Sequence, residues 1–250
     1  MTVSDPEKTL GIGAFLFGIY AWFSFVLCVV SGILFALLLP GLERRRRWVT
    51  RSARATFLLT GMSVSVRGLE KLPPGHCIVV ANHASYLDGV LLFGYLPPRF
   101  AFVIKGEMQN FPGVHFLLRR IGAKFVERFE ASGSARDARN LLKAASSGES
   151  FAFFPEGTFQ SYAGLDRFRA GAFAAAIKGG LPVIPAVISG SRAVLPGGRI
   201  LPRHGHMRLD ITNPIEPGDP AFENSRDLAE LSRQRILEIL DEPDLLASKQ

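Results

Sequence analysis

The stretch VVANHASYLDGV, residues 79 to 90, places His83 and Asp88 five positions apart, directly after an apolar run rich in valine. An imidazole beside a carboxylate performs general-base chemistry, because the carboxylate orients the ring and supports its positive charge. Five residues on an ideal helix put two side chains about 140° apart, so the pair can meet only if His83 lies in the turn before a helix. Asn82 and Ser85 are residue types that favour helix entry at this point. A chance pairing on an ordinary helix is the alternative, and the motif alone does not exclude it.

Three further segments place polar or proline residues at the ends of expected strands. In FFPEGTF, turn chemistry explains Pro155 and Gly157 but gives no reason for Glu156, which either binds a ligand, orders backbone amides or is a polar turn residue. In GAKFVER, Arg128 ends a strand, and its planar guanidinium suits a phosphate. In GLPVIPAVISGSR, two prolines bracket the start of a strand. Ligands collect at the carboxyl ends of strands in open α/β sheets, so these ends are expected to form one site.

The elements that must position these residues alternate along the chain. Short apolar runs follow one another with helical stretches between them, which indicates an α/β fold with a largely parallel sheet flanked by helices. The expected strands are residues 63–66, 77–81, 100–104, 123–127, 150–154, 182–188 and 206–212. The expected helices lie near residues 86–95, 111–120, 134–147, 171–178 and 225–241. We expect a membrane anchor with a basic juxtamembrane helix over residues 1–58 and an α/β domain over residues 59–250.

An apolar segment without a charged side chain runs from Leu10 to Pro40. As one helix it would be about 45 Å long, against roughly 30 Å for the hydrocarbon core of a bilayer. It either spans the membrane as a single tilted helix or, with a break at Gly32, forms a helix pair that dips into one leaflet. A signal peptide fits less well, because the run is long and its amino-terminal flank carries acidic residues. The segment is therefore interpreted as a retained anchor.

The basic run ERRRRW follows the apolar segment and places the rest of the chain on the cytoplasmic face of a bacterial-type inner membrane or its equivalent. These arginines either contact anionic headgroups or act only as a topology signal. The formal net charge of +7 favours an anionic partner. Aromatic-interleaved basic strands are missing, so no nucleic acid is expected. Cys28 and Cys77 match no metal spacing, and no metal-binding or nucleotide-binding motif occurs, so no metal is expected.

Four ordered blocks together resemble the glycerolipid acyltransferase superfamily, which contains the 1-acylglycerol-3-phosphate acyltransferases. The family blocks are Asn-His-x4-Asp, Gly-x2-Phe-x2-Arg, Phe-Pro-Glu-Gly-Thr-Arg and a proline-bearing hydrophobic strand. They are matched here by Asn82-His83 with Asp88, by Gly122 with Phe125 and Arg128, by Phe154 to Thr158, and by Leu181 to Pro185. The resemblance covers about residues 60 to 215.

The resemblance implies acyl transfer from acyl-CoA or an acyl carrier protein to the sn-2 hydroxyl of 1-acylglycerol-3-phosphate, giving phosphatidic acid at a membrane. His83 and Asp88 would be the catalytic pair, without a covalent intermediate and without a bound cofactor. Consistent with this, the chain has no Gly-x-Ser-x-Gly elbow. The substrate-binding residues would be Asn82, Lys105, Arg128, Glu156, Gly157, Thr158 and Arg169. The motif prolines would be Pro155, Pro182 and Pro185.

One position departs from the family pattern. Phe159 stands where the family commonly has an arginine that is usually assigned to the phosphate of the acceptor. Arg128, Arg169 and Lys105 are the alternative phosphate ligands. A lysolipid acyltransferase with another acceptor headgroup, such as a lyso-ornithine-type aminolipid or a remodelled lysophospholipid, is therefore a second interpretation. A non-catalytic membrane lipid-binding protein is a third.

Overall fold

The computed structural model describes residues 11–126 and 140–247. Its strands are β1 (Ser63–Arg67), β2 (Ile78–Ala81), β3 (Phe100–Lys105), β4 (Lys124–Val126), β5 (Ser150–Phe153), β6 (Val183–Ser189) and β7 (His206–Ile211). Its helices are α1 (Ile12–Leu38), α2 (Leu42–Thr60), α3 (Leu87–Tyr95), α4 (Pro112–Arg120), α5 (Gly171–Gly179), α6 (Ser191–Val194) and α7 (Ser225–Leu237). Residues 140–146 are also helical. Each expected strand is present, with its described ends within one residue of the prediction.

The seven strands form one sheet in the order β1-β7-β6-β2-β5-β3-β4. The pair β6 and β7 is antiparallel, and the other neighbouring pairs are parallel. The central strands β2 and β5 are buried along their whole length, which explains why they do not alternate: β2 is apolar throughout, and β5 is apolar after Ser150. The predicted α/β fold with a largely parallel sheet is confirmed.

The sheet is covered on both faces. On one face α3 and the end of α2 pack over a buried cluster that includes Phe57, Leu91 and Leu92. On the other face α5 and α7 cover a cluster that includes Phe173 and Leu228. Consecutive strands of a parallel sheet are joined by helices that cross its faces, so this layering leaves the carboxyl ends of the central strands open at one edge.

Helix α1 continues unbroken through Gly32, so the apolar segment forms one helix rather than two. Within the described residues it is the one helix long and apolar enough to cross a membrane by length and composition. Its buried stripe consists of small residues, Gly18, Ala21, Ser24, Cys28, Gly32 and Ala36. Gly32 faces Leu117 and Val49, and a Cβ at this position would lie 3.5 Å and 3.9 Å from their side chains, within ordinary van der Waals contact. Most of the large apolar side chains of α1 lie on its other faces and are exposed, whereas Phe17 and Ile33 are half-buried against the core.

The arginines after α1 divide into two groups. Arg46 donates to the carbonyls of Ile121 and Arg99, and Arg54 donates to the carbonyl of Gly94. These two therefore fasten α2 to the α/β domain, so the expectation that the arginines after α1 contact lipid headgroups is wrong for Arg46 and Arg54. Burial lowers the pKa of Arg46, and Glu149 partly offsets this effect. Arg44, Arg47 and Arg51 share the exposed face of α2.

Candidate active site

Two of the sequence motifs, the His83 turn and the PEGT turn, meet at the carboxyl edge of the sheet. The expectation that the proline-bearing strand start joins them there is wrong for Pro182, which directly precedes β6 at its amino end. The parallel register pairs Val80 of β2 with Phe153 of β5 and with Pro185 of β6. The chain leaves β2 into Asn82 and His83 and leaves β5 into the PEGT turn, so the two turns are neighbours. This adjacency follows from the topology, because parallel strands end at the same edge.

The structure brings His83 and Asp88 together. His83 lies in the turn before α3, and its Nδ1 is 2.9 Å from Oδ2 of Asp88. Ser85 shapes the turn: its hydroxyl accepts from the amide of Leu87, and its carbonyl accepts from the amide of Asp88. The imidazole folds back over the start of α3 as the five-residue spacing requires.

The Asp88 carboxylate is fully buried and already oriented. Besides the imidazole, its Oδ2 accepts the amides of Ala84 at 2.6 Å and Ser85 at 2.8 Å. The other oxygen, Oδ1, has no hydrogen-bond partner among the residues that the structure describes. A carboxylate fixed in this way accepts a hydrogen bond from Nδ1–H, which keeps the proton on Nδ1 and leaves Nε2 as the basic nitrogen of the ring. The side chain of His83 is 16% exposed, so the ring is mostly buried but can still be reached from solvent.

Glu156 ties the two turns together. Its Oε1 accepts the amide of His83 at 2.7 Å, and its Oε2 accepts the amide of Asp166 at 3.1 Å. Burial raises the pKa of Glu156 to about 7, and the two backbone hydrogen bonds offset only part of that effect. The carboxylate thus orders backbone amides, one of the roles left open for it by the sequence.

The PEGT turn has a conformation that its sequence explains. The amide of Gly157 donates to the carbonyl of Phe154 at 3.0 Å, and Pro155 occupies the second position of this turn. Gly157 has a φ of +83°, which favours glycine. Thr158 is exposed beside it, and the carbonyl of Pro155 accepts the amide of Arg169 at 2.9 Å.

Asn82 has a geometry different from that of a substrate ligand. Its side chain is 2% exposed, its Nδ2 donates to the carbonyl of Ile188 at 2.9 Å, and its Oδ1 accepts the amide of Ile188 at 2.7 Å. The side chain therefore fastens the end of β2 to β6, and we assign it a positioning role in place of the expected substrate contact. The carbonyl of Pro182 accepts the amide of Ile78 at the amino end of β2, and the carbonyl of Pro185 accepts the amide of Thr212, so both prolines join neighbouring segments of the sheet.

The three candidate cations occupy different places. Lys105 ends β3 at the carboxyl edge and is half-buried. Arg169 is exposed, and its backbone bond to Pro155 places it at the rim of the site. Arg128 and the first part of the helix expected at 134–147 lie outside the described residues.

Sequence reasoning missed an aromatic enclosure around His83. Phe154 stacks on the imidazole at a centroid distance of 4.1 Å, and Phe159 meets it edge-on at 4.5 Å. Tyr86 in turn packs against Phe159 at 4.8 Å. The phenylalanines of the segment FFPEGTF stand close to a strand end, which was a signal for aromatic contacts at the site. The sequence does not show that Phe154 and Phe159 contact the ring of His83.

Comparison with known proteins places this geometry in a family. The Acyltransferase family model matches residues 63–189. The chain is 27% identical to the chloroplastic 1-acyl-sn-glycerol-3-phosphate acyltransferase BAT2 of Brassica napus, over 76% of this chain and 56% of that protein. It therefore spans little more than half of that relative's length. It is also 28% identical to the lyso-ornithine lipid O-acyltransferase of Pseudomonas aeruginosa, over 91% of this chain and 87% of that protein.

A solved structure shows the same fold. The crystal structure of the 1-acyl-sn-glycerophosphate acyltransferase PlsC from Thermotoga maritima superposes with a TM-score of 0.76 at 27% sequence identity. The match covers 91% of this chain and 96% of that one.

Proposed function

Because the chain belongs to the Acyltransferase family, we propose that it is an O-acyltransferase that moves a fatty acyl group from a thioester to the free hydroxyl of a lysolipid. The observation that carries the proposal is the His83–Asp88 pair at the carboxyl edge of the sheet. Its carboxylate is buried and held by two amides, and its imidazole remains accessible. This is the arrangement of a general base with a fixed orienting group.

The reaction follows from the two ring nitrogens. Nε2 of His83 accepts the proton of the acceptor hydroxyl as that oxygen attacks the thioester carbonyl. Asp88 stabilises the imidazolium formed at this point through Nδ1. Collapse of the tetrahedral intermediate breaks the carbon–sulfur bond, and Nε2 returns the proton to the departing thiolate. The acceptor oxygen attacks directly, so no acyl-enzyme forms.

The framework residues set the position of the base. Glu156 holds the amide of His83 and Asn82 holds the end of β2, so the backbone on both sides of the base is restrained. Positioning of this kind supplies much of a catalytic effect, because the hydroxyl and the base must meet in one geometry. The Gly157 amide already donates to Phe154, so the oxyanion requires other donors.

The acceptor that we propose first is 1-acylglycerol-3-phosphate, as in the names of the Brassica and Thermotoga relatives. The donor is acyl-CoA or an acyl carrier protein. Arg169 at the rim and Lys105 at the end of β3 are the described candidates for the phosphate, together with Arg128. Guanidinium and ammonium groups at this edge would hold the phosphate so that the sn-2 hydroxyl reaches His83.

A second acceptor class is favoured by one specific observation. The ring of Phe159 lies against His83 at the position where the family commonly has arginine. The relative named as a lyso-ornithine lipid O-acyltransferase matches nearly the whole chain. An aminolipid acceptor needs no arginine at this position, so it is the alternative to the phosphate acceptor.

We also propose that α1 lies along the membrane surface rather than crossing the bilayer. Its buried stripe from Gly18 to Ala36 packs on the protein over about 27 Å, close to the roughly 30 Å of the hydrocarbon core. A perpendicular span would therefore draw polar parts of the α/β domain into hydrocarbon, which is costly. A helix lying in the interface instead exposes its apolar faces to one leaflet. The exposed arginines of α2 support the proposal that this is the cytoplasmic leaflet.

The decisive experiment is an acyl-transfer assay with purified protein in detergent. One acyl thioester is offered with 1-acylglycerol-3-phosphate, with its dephosphorylated analogue and with a lyso-ornithine lipid. We expect transfer to the phosphate acceptor, loss of transfer in His83→Ala, and full activity in the control His76→Ala, which alters an exposed histidine. Transfer to the aminolipid instead would establish the alternative acceptor, and full activity of His83→Ala would overturn the mechanism.

A further inference from the structure

A loop connects the exposed apolar helix to the proposed catalytic turn. We call residues Leu195–His204 the strap. On its α1 side, the carbonyl of Ile200 accepts Trp22 Nε1 at 2.7 Å, and the ring of His204 packs edge-on against Phe17 at 5.6 Å. Leu201 approaches Gly18 so closely that a Cβ at position 18 would lie 2.8 Å from Cβ of Leu201. The strap is therefore fitted to the surface of α1.

The other end of the strap braces the turn that carries His83. The buried hydroxyl of Ser85 donates to the carbonyl of Leu195 at 2.7 Å, and Ser85 also forms an isolated β-bridge with Pro196. Gly197 packs against Phe159, since a Cβ at position 197 would lie 3.3 Å from the ring of Phe159. The strap thus touches a residue two positions after His83 and a ring that contacts the imidazole.

The middle of the strap carries an exposed apolar side chain between two cations. Ile200 is 77% exposed and stands between Arg199 and Arg203, which are half-buried and exposed respectively. Beside it, α1 presents Phe15 and Ile19 to solvent on the stripe that includes Trp22. The apolar surface of α1 therefore continues onto the strap through Ile200. The positive charge of this surface comes from the arginines on either side of Ile200.

We propose that the strap is a membrane-contact surface for an anionic phospholipid bilayer, and that it links the seating of α1 on that bilayer to the position of the His83 turn. The proposal rests on the proposed function, because it concerns how a lipid-modifying site meets its substrate surface. Ile200 enters the interface beside α1, and the flanking arginines meet anionic headgroups. Trp22 sits at the level where indole rings favour the boundary between lipid and water.

The membrane contact is tested by vesicle binding. Ile200→Glu replaces an exposed side chain, so the fold is expected to survive with an unchanged Tm. We expect its affinity for vesicles of phosphatidylcholine with phosphatidylglycerol to fall roughly tenfold, from lost apolar burial and an added negative charge. Ile239→Glu is the matched control, because Ile239 is also exposed but follows α7 on the opposite face of the sheet. It should bind as the parent protein does.

The charges are tested separately. Arg199→Gln and Arg203→Gln should each weaken binding to anionic vesicles about fivefold and leave binding to pure phosphatidylcholine vesicles unchanged. Binding of Ile200→Glu with parental affinity, or equal effects of the arginine changes on both vesicle types, would overturn the contact. A lower Tm of Ile200→Glu together with self-association of the parent through this face would also overturn it. These measurements need no enzymatic activity, so they are distinct from a failure of the proposed function.

The link to the His83 turn is tested by removing one hydrogen bond. Trp22→Phe keeps an aromatic ring on α1 but no longer donates to Ile200. We expect kcat on a monomeric short-chain acceptor to fall about threefold to tenfold, with KM little changed, and a shift of the His83 side-chain ¹⁵N signals. Tyr20→Phe is the control, because the Tyr20 hydroxyl also donates from α1 to a backbone carbonyl, that of Leu59 in α2. Identical His83 signals in Trp22→Phe and the parent would overturn the link, whether or not the protein is active.

Discussion

The ring of Phe159 meets the imidazole of His83 edge-on, with centroids 4.5 Å apart, while Phe154 stacks on the face of the same imidazole. The base is thus packed on an edge and a face by rings from the turn after β5. Such aromatic pairs contribute about 0.5 to 1.5 kcal/mol beyond their burial. Their effect here is to hold the orientation of a group whose Nε2 must point at the acceptor.

Replacing Phe159 by leucine should lower kcat. The change removes the edge contact with His83, so we expect a loss of about threefold to tenfold in kcat, with KM less affected. Phe159→Tyr keeps the ring and should retain most of the rate. Tyr162→Leu is the control, since Tyr162 is an exposed aromatic residue of the same loop. Equal rates for Phe159→Leu and the parent would exclude a positioning role for this ring.

Replacing Asp88 by asparagine should abolish most of the activity and cost stability. The carboxylate oxygen accepts the imidazole and two amides, and an amide side chain cannot restore all three contacts while keeping the same tautomer of His83. We expect kcat to fall by about 10²- to 10⁴-fold, by analogy with catalytic triads. The free energy of unfolding should fall by about 1 to 3 kcal/mol. Enzyme kinetics and urea denaturation measure the two effects, and near-parental kcat would contradict the proposed base.

The raised pKa of Glu156 predicts a pH-dependent contribution to stability. Its pKa is about 7 in the folded protein and near 4.5 in an exposed chain, so between these values the folded state binds the proton more strongly. The stabilisation by the protonated form is fully present below pH 4.5 and is lost as the pH rises through 7. Relative to Glu156→Gln, the parent should therefore lose about 1 to 3 kcal/mol across this window and change little above it.

Urea denaturation of the parent and Glu156→Gln at several pH values between 4.5 and 8 measures this difference. Other titrating groups contribute to both proteins and largely cancel. A difference in unfolding free energy that is constant over the whole range would show that Glu156 keeps an ordinary pKa in the folded protein.

Replacing Asn82 by alanine should destabilise the junction between β2 and β6. Both backbone groups of Ile188 that it binds are left buried without these partners, at a cost of about 2 to 4 kcal/mol in unfolding free energy. Ser232→Ala is a useful control, because it removes a buried hydroxyl that donates to a carbonyl within its own helix. That change should cost less than about 1.5 kcal/mol. If the two variants unfold at the same urea concentration, the Asn82 side chain does not stabilise the junction between β2 and β6.

The strands and the His83 turn follow from local sequence, because short buried runs and helix-entry residues are read over a few positions. The contacts of Glu156 with Asp166 and of Phe159 with His83 depend on which turns become neighbours, which local sequence does not specify. The sequence contained a signal for the inward orientation of Arg46, because Arg46 precedes Val49 by three residues and so lies on the buried face of α2. The run of four arginines hid that signal, because a charged block is usually solvated.

The pairing of β1 with β7 has a consequence for the order of events during synthesis. Ser63 is aligned with His206, 143 residues later in the chain, so this edge of the sheet cannot close until the ribosome has passed β7. By then α1 and α2 have long emerged, and an apolar helix can reach lipid before the domain that it serves is complete. The strap directly precedes β7, so the brace on Ser85 is among the last parts to be delivered. The nascent chain is therefore expected to reach the membrane first and to gain a working base only near the end of translation.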